Sequence, residues 1–122
     1  MTTCDEAYQQ TRDIRVANPG YPDHRYEADY VVTVAHWQGE LVCRNLYDGP
    51  ANGQWGPGSR RGAQLYLRDY GYTGPIDGDW GTNTWKAIQR LAADRGGYSG
   101  PIDGAAGPNT WLGIFCAFVP WN

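Results

Sequence analysis

Apolar residues recur at spacings of three and four in five stretches of this chain, separated by polar segments rich in glycine and proline. The first stretch, residues 3–17, has Ala7 and Ile14 as a weak stripe. Thr3 and Glu6 are spaced as a capping box at its start, and Asn18-Pro19-Gly20 stops it. Residues 18–26 form an irregular link. A second helix is expected from about Glu27 to Cys43. Ala28, Val31, Val32, Ala35, Gly39, Val42 and Cys43 lie on one of its faces; Tyr30, Val34, Trp37 and Leu41 lie on another. A helix apolar on two sides must be covered on two sides. The cover is either the rest of a bundle, which makes this the central helix, or another chain. Three more helices follow. Ala63, Tyr66, Leu67 and Tyr70 form the apolar face over 58–70; Trp85, Ile88, Leu91 and Ala92 over 83–95; Trp111, Ile114, Phe115 and Phe118 over 108–118. Phe118-Val119-Pro120-Trp121-Asn122 is apolar for a chain end and reads as docked.

The polar segments between the last three helices are copies of one another. Gly71-Tyr72-Thr73-Gly74-Pro75-Ile76-Asp77-Gly78 recurs as Gly97-Tyr98-Ser99-Gly100-Pro101-Ile102-Asp103-Gly104, shifted by 26 residues without a gap. A looser copy, Leu46-Tyr47-Asp48-Gly49-Pro50-Ala51-Asn52-Gly53, precedes them by 25. The chemistry is that of an ordered turn. Proline fixes an extended approach. Asp-Gly or Asn-Gly then reverses the chain through an Asx turn and a glycine at positive φ. Ile76 and Ile102 are expected to point inward as anchors. Gly81-Thr82-Asn83 and Gly107-Pro108-Asn109 read as helix starts, where Pro108 and short polar residues suit the free amides. Each unit is thus a loop plus a helix of about three turns, and one unit cannot bury its stripe alone.

The pattern Gly-Tyr-x-Gly-Pro-Ile-Asp-Gly-x-x-Gly-x-x-Thr, followed by an amphipathic helix, resembles the peptidoglycan-binding domain of cell-wall hydrolases. The resemblance covers residues 46–118. It implies an all-α fold: a small helical bundle with tandem loop–helix repeats. Residues 1–45 then form an N-terminal helical segment and 46–122 the repeats. Two departures stand out. The aromatic-Gln ending of the family's last helix is only partly present at Ile88-Gln89, and Asp79-Trp80 becomes Ala105-Ala106 in the final copy.

Positions kept in all three copies read as what the turn needs, and positions that vary are free for other uses. Trp55 and Trp80 are absent from the third copy, which has Ala106, so these indoles are not required by the turn. They are the candidate ligand platform, with Asp77, Asp79 and Thr84 as polar contacts; the competing reading is packing. Trp85 and Trp111 read as core. Asp77-Gly78-Asp79 lacks the further ligands of a calcium loop, so no metal or other cofactor is implied.

Composition narrows the rest. The 122 residues hold 10 basic and 13 acidic side chains, giving a net charge near −3, which lacks the basic footprint that nucleic-acid binding needs. No stretch is long and apolar enough to span a membrane. The start at Met1 lacks a basic-then-apolar leader, so no signal peptide is read and synthesis in the cytoplasm is expected. Cys4, Cys43 and Cys116 are scattered and odd in number. They read first as buried free thiols, with one bridge plus a spare thiol as the alternative. The only two histidines, His24 and His36, sit in no zinc-protease or nucleophile pattern, and Cys43 and His36 make a poor dyad. The acids are too dispersed to nominate a pair for glycan cleavage. The expected function is therefore non-catalytic binding of peptidoglycan or muropeptide, associated with a phage particle or with the wall after release. The alternatives are a structural virion protein of tail or capsid, using the fold for protein contacts, and the targeting subunit of a separate wall hydrolase.

Overall fold

The computed structural model describes residues 1–120 and is all-helical, with no strand among them. Five α-helices run in order: α1 Cys4–Ala17, α2 Val31–Cys43, α3 Pro57–Tyr66, α4 Thr82–Gly96 and α5 Pro108–Phe118. Short 3-10 turns cover Tyr21–His24 in the link and Leu67–Tyr70 at the end of α3. Trp121 and Asn122, part of the apolar chain end, lie outside the described residues; Val119 just before them is buried.

Boundaries follow local chemistry. At α1 the Thr3 hydroxyl accepts from Glu6 N–H and the Glu6 carboxylate accepts from Thr3 N–H, closing the expected capping box. The Thr3 backbone N–H first, and then the Thr3 hydroxyl, hold the Glu6 carboxyl below its usual range. α2 starts four residues later than the pattern predicts, at Val31 rather than Glu27. Asp29 takes φ +54 and Tyr30 is extended, which breaks the helical path, and Ala28 stays exposed. The third predicted helix tightens after Tyr66 and ends at Gly71, φ +85, a left-handed cap that glycine adopts without penalty.

α2 is the central helix. Val32, Val34, Ala35, Trp37, Leu41 and Val42 are all buried. Trp37 and Leu41 share one cluster with Ala63, Leu67, Ile88, Leu91, Trp111 and Ile114, so α2 is continuous with the core of α3–α5. Its other side is covered by α1, whose Ala7 and Thr11 pack closely enough that a Cβ on Gly39 would stand 2.9 Å from the Thr11 methyl. α4 and α5 also approach closely: a Cβ on Gly96 would collide with the Gly113 carbonyl. Burying Trp37 completely stabilises the fold by about 3–5 kcal/mol relative to alanine.

The cysteines do not remain three free thiols. Cys4 and Cys43 are bridged, with Cα atoms 4.6 Å apart, and Cys116 is free. The antiparallel packing of α1 on α2 brings the start of one helix beside the end of the other, a proximity that no spacing in the sequence reveals. Closing a loop with 39 residues of separation stabilises the chain by about 4 kcal/mol in the loop-entropy treatment. With few large side chains between them, α1 and α2 rely on that staple.

Candidate functional site

The site is built on three loops held by one device. Gln38 on α2, Gln64 on α3 and Gln89 on α4 are each fully buried. Each reaches the turn of the loop that follows it. The Gln38 Oε1 accepts from Gly53 N–H at 2.9 Å, the Gln64 Oε1 from Gly78 N–H at 2.8 Å, and the Gln89 Oε1 from Gly104 N–H at 2.8 Å. The amide nitrogens donate to the carbonyls of Gln54, Asp79 and Ala105. A buried amide that is satisfied on both sides fixes the turn without leaving a polar group stranded.

The remaining turn contacts repeat as well. Tyr47, Tyr72 and Tyr98 donate their hydroxyls to the carbonyls of Pro50, Pro75 and Pro101 at 3.0, 2.5 and 2.7 Å. Each ring lies across the glycine of its own loop; a Cβ on Gly49, Gly74 or Gly100 would run into it. The carboxamide of Asn52 and the carboxylates of Asp77 and Asp103 accept from the N–H two residues on, at 3.0, 2.9 and 2.9 Å. Gly53, Gly78 and Gly104 take φ near +80. The Asp79 N–H, and less strongly the Gln64 amide, hold the Asp77 carboxyl below its ordinary range; the Ala105 N–H and Gln89 do the same for Asp103.

On this frame the tips of the first two loops meet at the start of α3. Trp55, Gly56, Pro57, Arg60, Asp77, Gly78 and Asp79 line a shallow concavity of about 350 Å³. Trp55 and Trp80 are both half-buried, edge to face at 4.8 Å between ring centroids. Trp55 leans on the buried Trp37 at 5.3 Å. Trp80 donates its indole N–H to the Arg60 carbonyl at 3.1 Å, and the Arg60 guanidinium lies 5.0 Å over its ring. The aromatic series continues through Trp85 to Trp111. Of these Trp111 is buried and Trp85 only half so.

Three of the five residues singled out in the sequence, Trp55, Asp77 and Asp79, therefore share one lining, with Trp80 stacked against it. Thr84 is elsewhere: it is 1 % exposed and accepts from the Gln64 amide beneath the loop. Ile76 packs against the core, but Ile102 is 38 % exposed, so the second isoleucine is not the inward anchor expected of it. Arg60 and the glutamines were not singled out. A signal existed for the latter, since Gln38, Gln64 and Gln89 each precede the tyrosine of the following loop, Tyr47, Tyr72 and Tyr98, by eight or nine residues.

Comparison with known families falls on the same segment. Residues 58–112 match the model of the putative peptidoglycan binding domain family. The match runs from the first turn of α3 into α5, taking in the second and third loops with Gln64 and Gln89. The family is described as one of binding domains. No curated protein and no solved structure matches the chain. Among the described residues no helix is long and apolar enough to cross a membrane, and no group of three or more candidate ligands is placed to hold a metal ion.

Proposed function

We propose that the chain is a non-catalytic peptidoglycan-binding module whose contact point is the concavity between the first two loops. The observation that carries this reading is the convergence of Trp55, Arg60, Asp77 and Asp79 in one lining, the last three within the segment that matches a peptidoglycan-binding family. An indole offers a flat apolar face to a sugar ring or peptide plane, and the flanking guanidinium and carboxylates fix its hydroxyls and amides. Asp77 is ionised and partly committed to its own turn, whereas the exposed Asp79 side chain is free to contact ligand. Thr84 contributes from behind by completing the Gln64 network.

The setting is a phage particle, or the wall after release. The Cys4–Cys43 bridge favours residence outside a reducing compartment. The alternatives are a virion structural role and a targeting role beside a separate hydrolase.

Co-sedimentation with purified insoluble wall tests the reading. The parent chain is expected in the pellet, and Asp79→Ala combined with Arg60→Ala is expected to be held by the wall at least tenfold less tightly, with unchanged helical circular dichroism. A parent that stays soluble at saturating wall overturns the proposal. Equal retention of the variant moves the site away from this concavity.

A further inference from the structure

A second and larger concavity, of about 620 Å³, lies outside the matched segment, between α1, α2 and the end of α5. Its geometry follows from how α1 sits. Ala7, Thr11 and Ile14 form the stripe that packs inward. One position round the helix, Tyr8, Arg12 and Arg15 repeat the same spacing and wall the groove. The facing wall is His36, Gly39, Glu40 and Cys43 at helical spacing on α2, and Phe118 and Pro120 close one end. Tyr8 is 72 % exposed, a large ring left uncovered beside a cavity.

The charges do not cancel. Glu40 is committed to Arg95, with N–O distances of 2.7 and 3.2 Å. Burial alone would push the Glu40 carboxyl up, but Arg95, with Tyr66 and Arg44, outweighs it and holds the group ionised. His36 is neutral at pH 7: burial first, then the neighbouring Arg15 charge, lower its pKa to about 4. Arg15 donates one N–H toward the His36 ring at 3.2 Å, and among the described residues the rest of its fork makes no side-chain hydrogen bond. Arg12 is exposed. Two guanidiniums thus face the groove, and among the described residues that line it the one carboxylate is Glu40, already neutralised.

We infer that this groove binds the carboxylate end of a short peptide, with Arg12 and Arg15 clamping the acid and Tyr8 and Phe118 flanking its apolar side chains. The volume lies in the range that encloses a small ligand, and paired guanidiniums recognise carboxylates through charge-assisted hydrogen bonds. The identification of that peptide rests on the proposed function: it is the stem peptide of the wall polymer, held apart from the first concavity. The Cys4–Cys43 bridge keeps the two walls in place.

Isothermal titration calorimetry of the full, oxidised chain tests this. The ligands are a synthetic cell-wall stem pentapeptide with free carboxylates and its fully amidated counterpart. The free acid is expected to bind, and the amide at least tenfold more weakly. Arg12→Gln with Arg15→Gln is expected to lose at least tenfold for the free acid, and Arg12→Gln alone, at an exposed position, severalfold. Asp79→Ala with Arg60→Ala is expected to leave the peptide affinity unchanged. No binding by the free acid, equal binding of acid and amide, or full affinity in Arg12→Gln overturns the inference. Peptide binding by a chain that fails to sediment with whole wall sinks the proposed function and spares the groove; sedimentation without peptide binding does the reverse.

Discussion

The second and third loops have nearly the same sequence and the same frame, yet they end in different surfaces. Both turns hang from a buried glutamine, both tyrosines bond to a proline carbonyl, and both glycines sit at φ near +80. At the tip they diverge. Asp79-Trp80 stacks on Arg60 and borders a concavity, while Ala105-Ala106 presents exposed methyl groups. Ile76 is tucked against the core and Ile102 is not. The comparison separates two tasks within one motif: glutamine, tyrosine and glycine build the corner, and the two residues after it decide what the corner offers.

That separation can be broken at several points. The largest effect is expected at the glutamines. Gln64 accepts from two backbone amides, Asp77 N–H and Gly78 N–H, and Gln89 from Gly104 N–H. Gln64→Ala should cost about 3 kcal/mol and Gln89→Ala about 2 kcal/mol in urea unfolding, since each strands polar groups that water reaches poorly. A neutral result at either site would remove the device from the account. Next are the turn glycines. Alanine at positive φ costs about 1–2 kcal/mol at both, but the surroundings differ. A Cβ on Gly78 finds its nearest neighbour, the Pro57 carbonyl oxygen, at 3.4 Å, whereas one on Gly104 meets the Thr82 methyl at 2.7 Å and the Thr82 carbonyl at 3.0 Å. Gly104→Ala is therefore expected to lower the melting temperature more than Gly78→Ala, and the reverse order would contradict this packing.

A smaller effect is expected from the turn aspartates. Asp77 and Asp103 have folded-state pKa values below the ordinary 3.8. The unfolded chain binds these protons more readily, so their contribution to stability is present above that value and is lost as pH falls through the depressed pKa. Asn at either site keeps the Asx turn, as Asn52 does in the first loop. Asp77→Asn and Asp103→Asn should therefore fold normally at pH 7 and lose less stability than the parent between pH 4 and 2, followed by thermal melts. Unchanged acid sensitivity would show that the two carboxylates are not held as described. The smallest effect on stability belongs to Asp79→Ala, expected within about 0.5 kcal/mol of the parent because its side chain is exposed.

Much of the fold was legible in the sequence because its signals are local. Helical spacing, the Thr3–Glu6 box and the glycine caps each act within a turn or two, and four of the five helices begin and end close to their predicted limits. What escaped is long-range. Nothing in the spacing of Cys4 and Cys43 announces that α1 runs antiparallel to α2. The delayed start of α2 depends on a left-handed Asp29 that propensity does not foresee. In the concavity, Trp55, Asp77 and Asp79 share the lining and were singled out because they vary or persist among copies of a repeat. Arg60 was not, because its role comes from lying over Trp80. Thr84 reads in the sequence as a polar contact to ligand; its burial follows from Gln64 reaching the loop from the preceding helix.

The division between corner and tip is tested most directly by wall-binding isotherms of two reciprocal variants, Asp79→Ala and Ala105→Asp. The expected result is at least a tenfold loss of affinity for the first and parental affinity for the second, with both melting near the parent. Parental binding by Asp79→Ala, or an equal loss in both variants, would contradict the assignment of binding to the second loop.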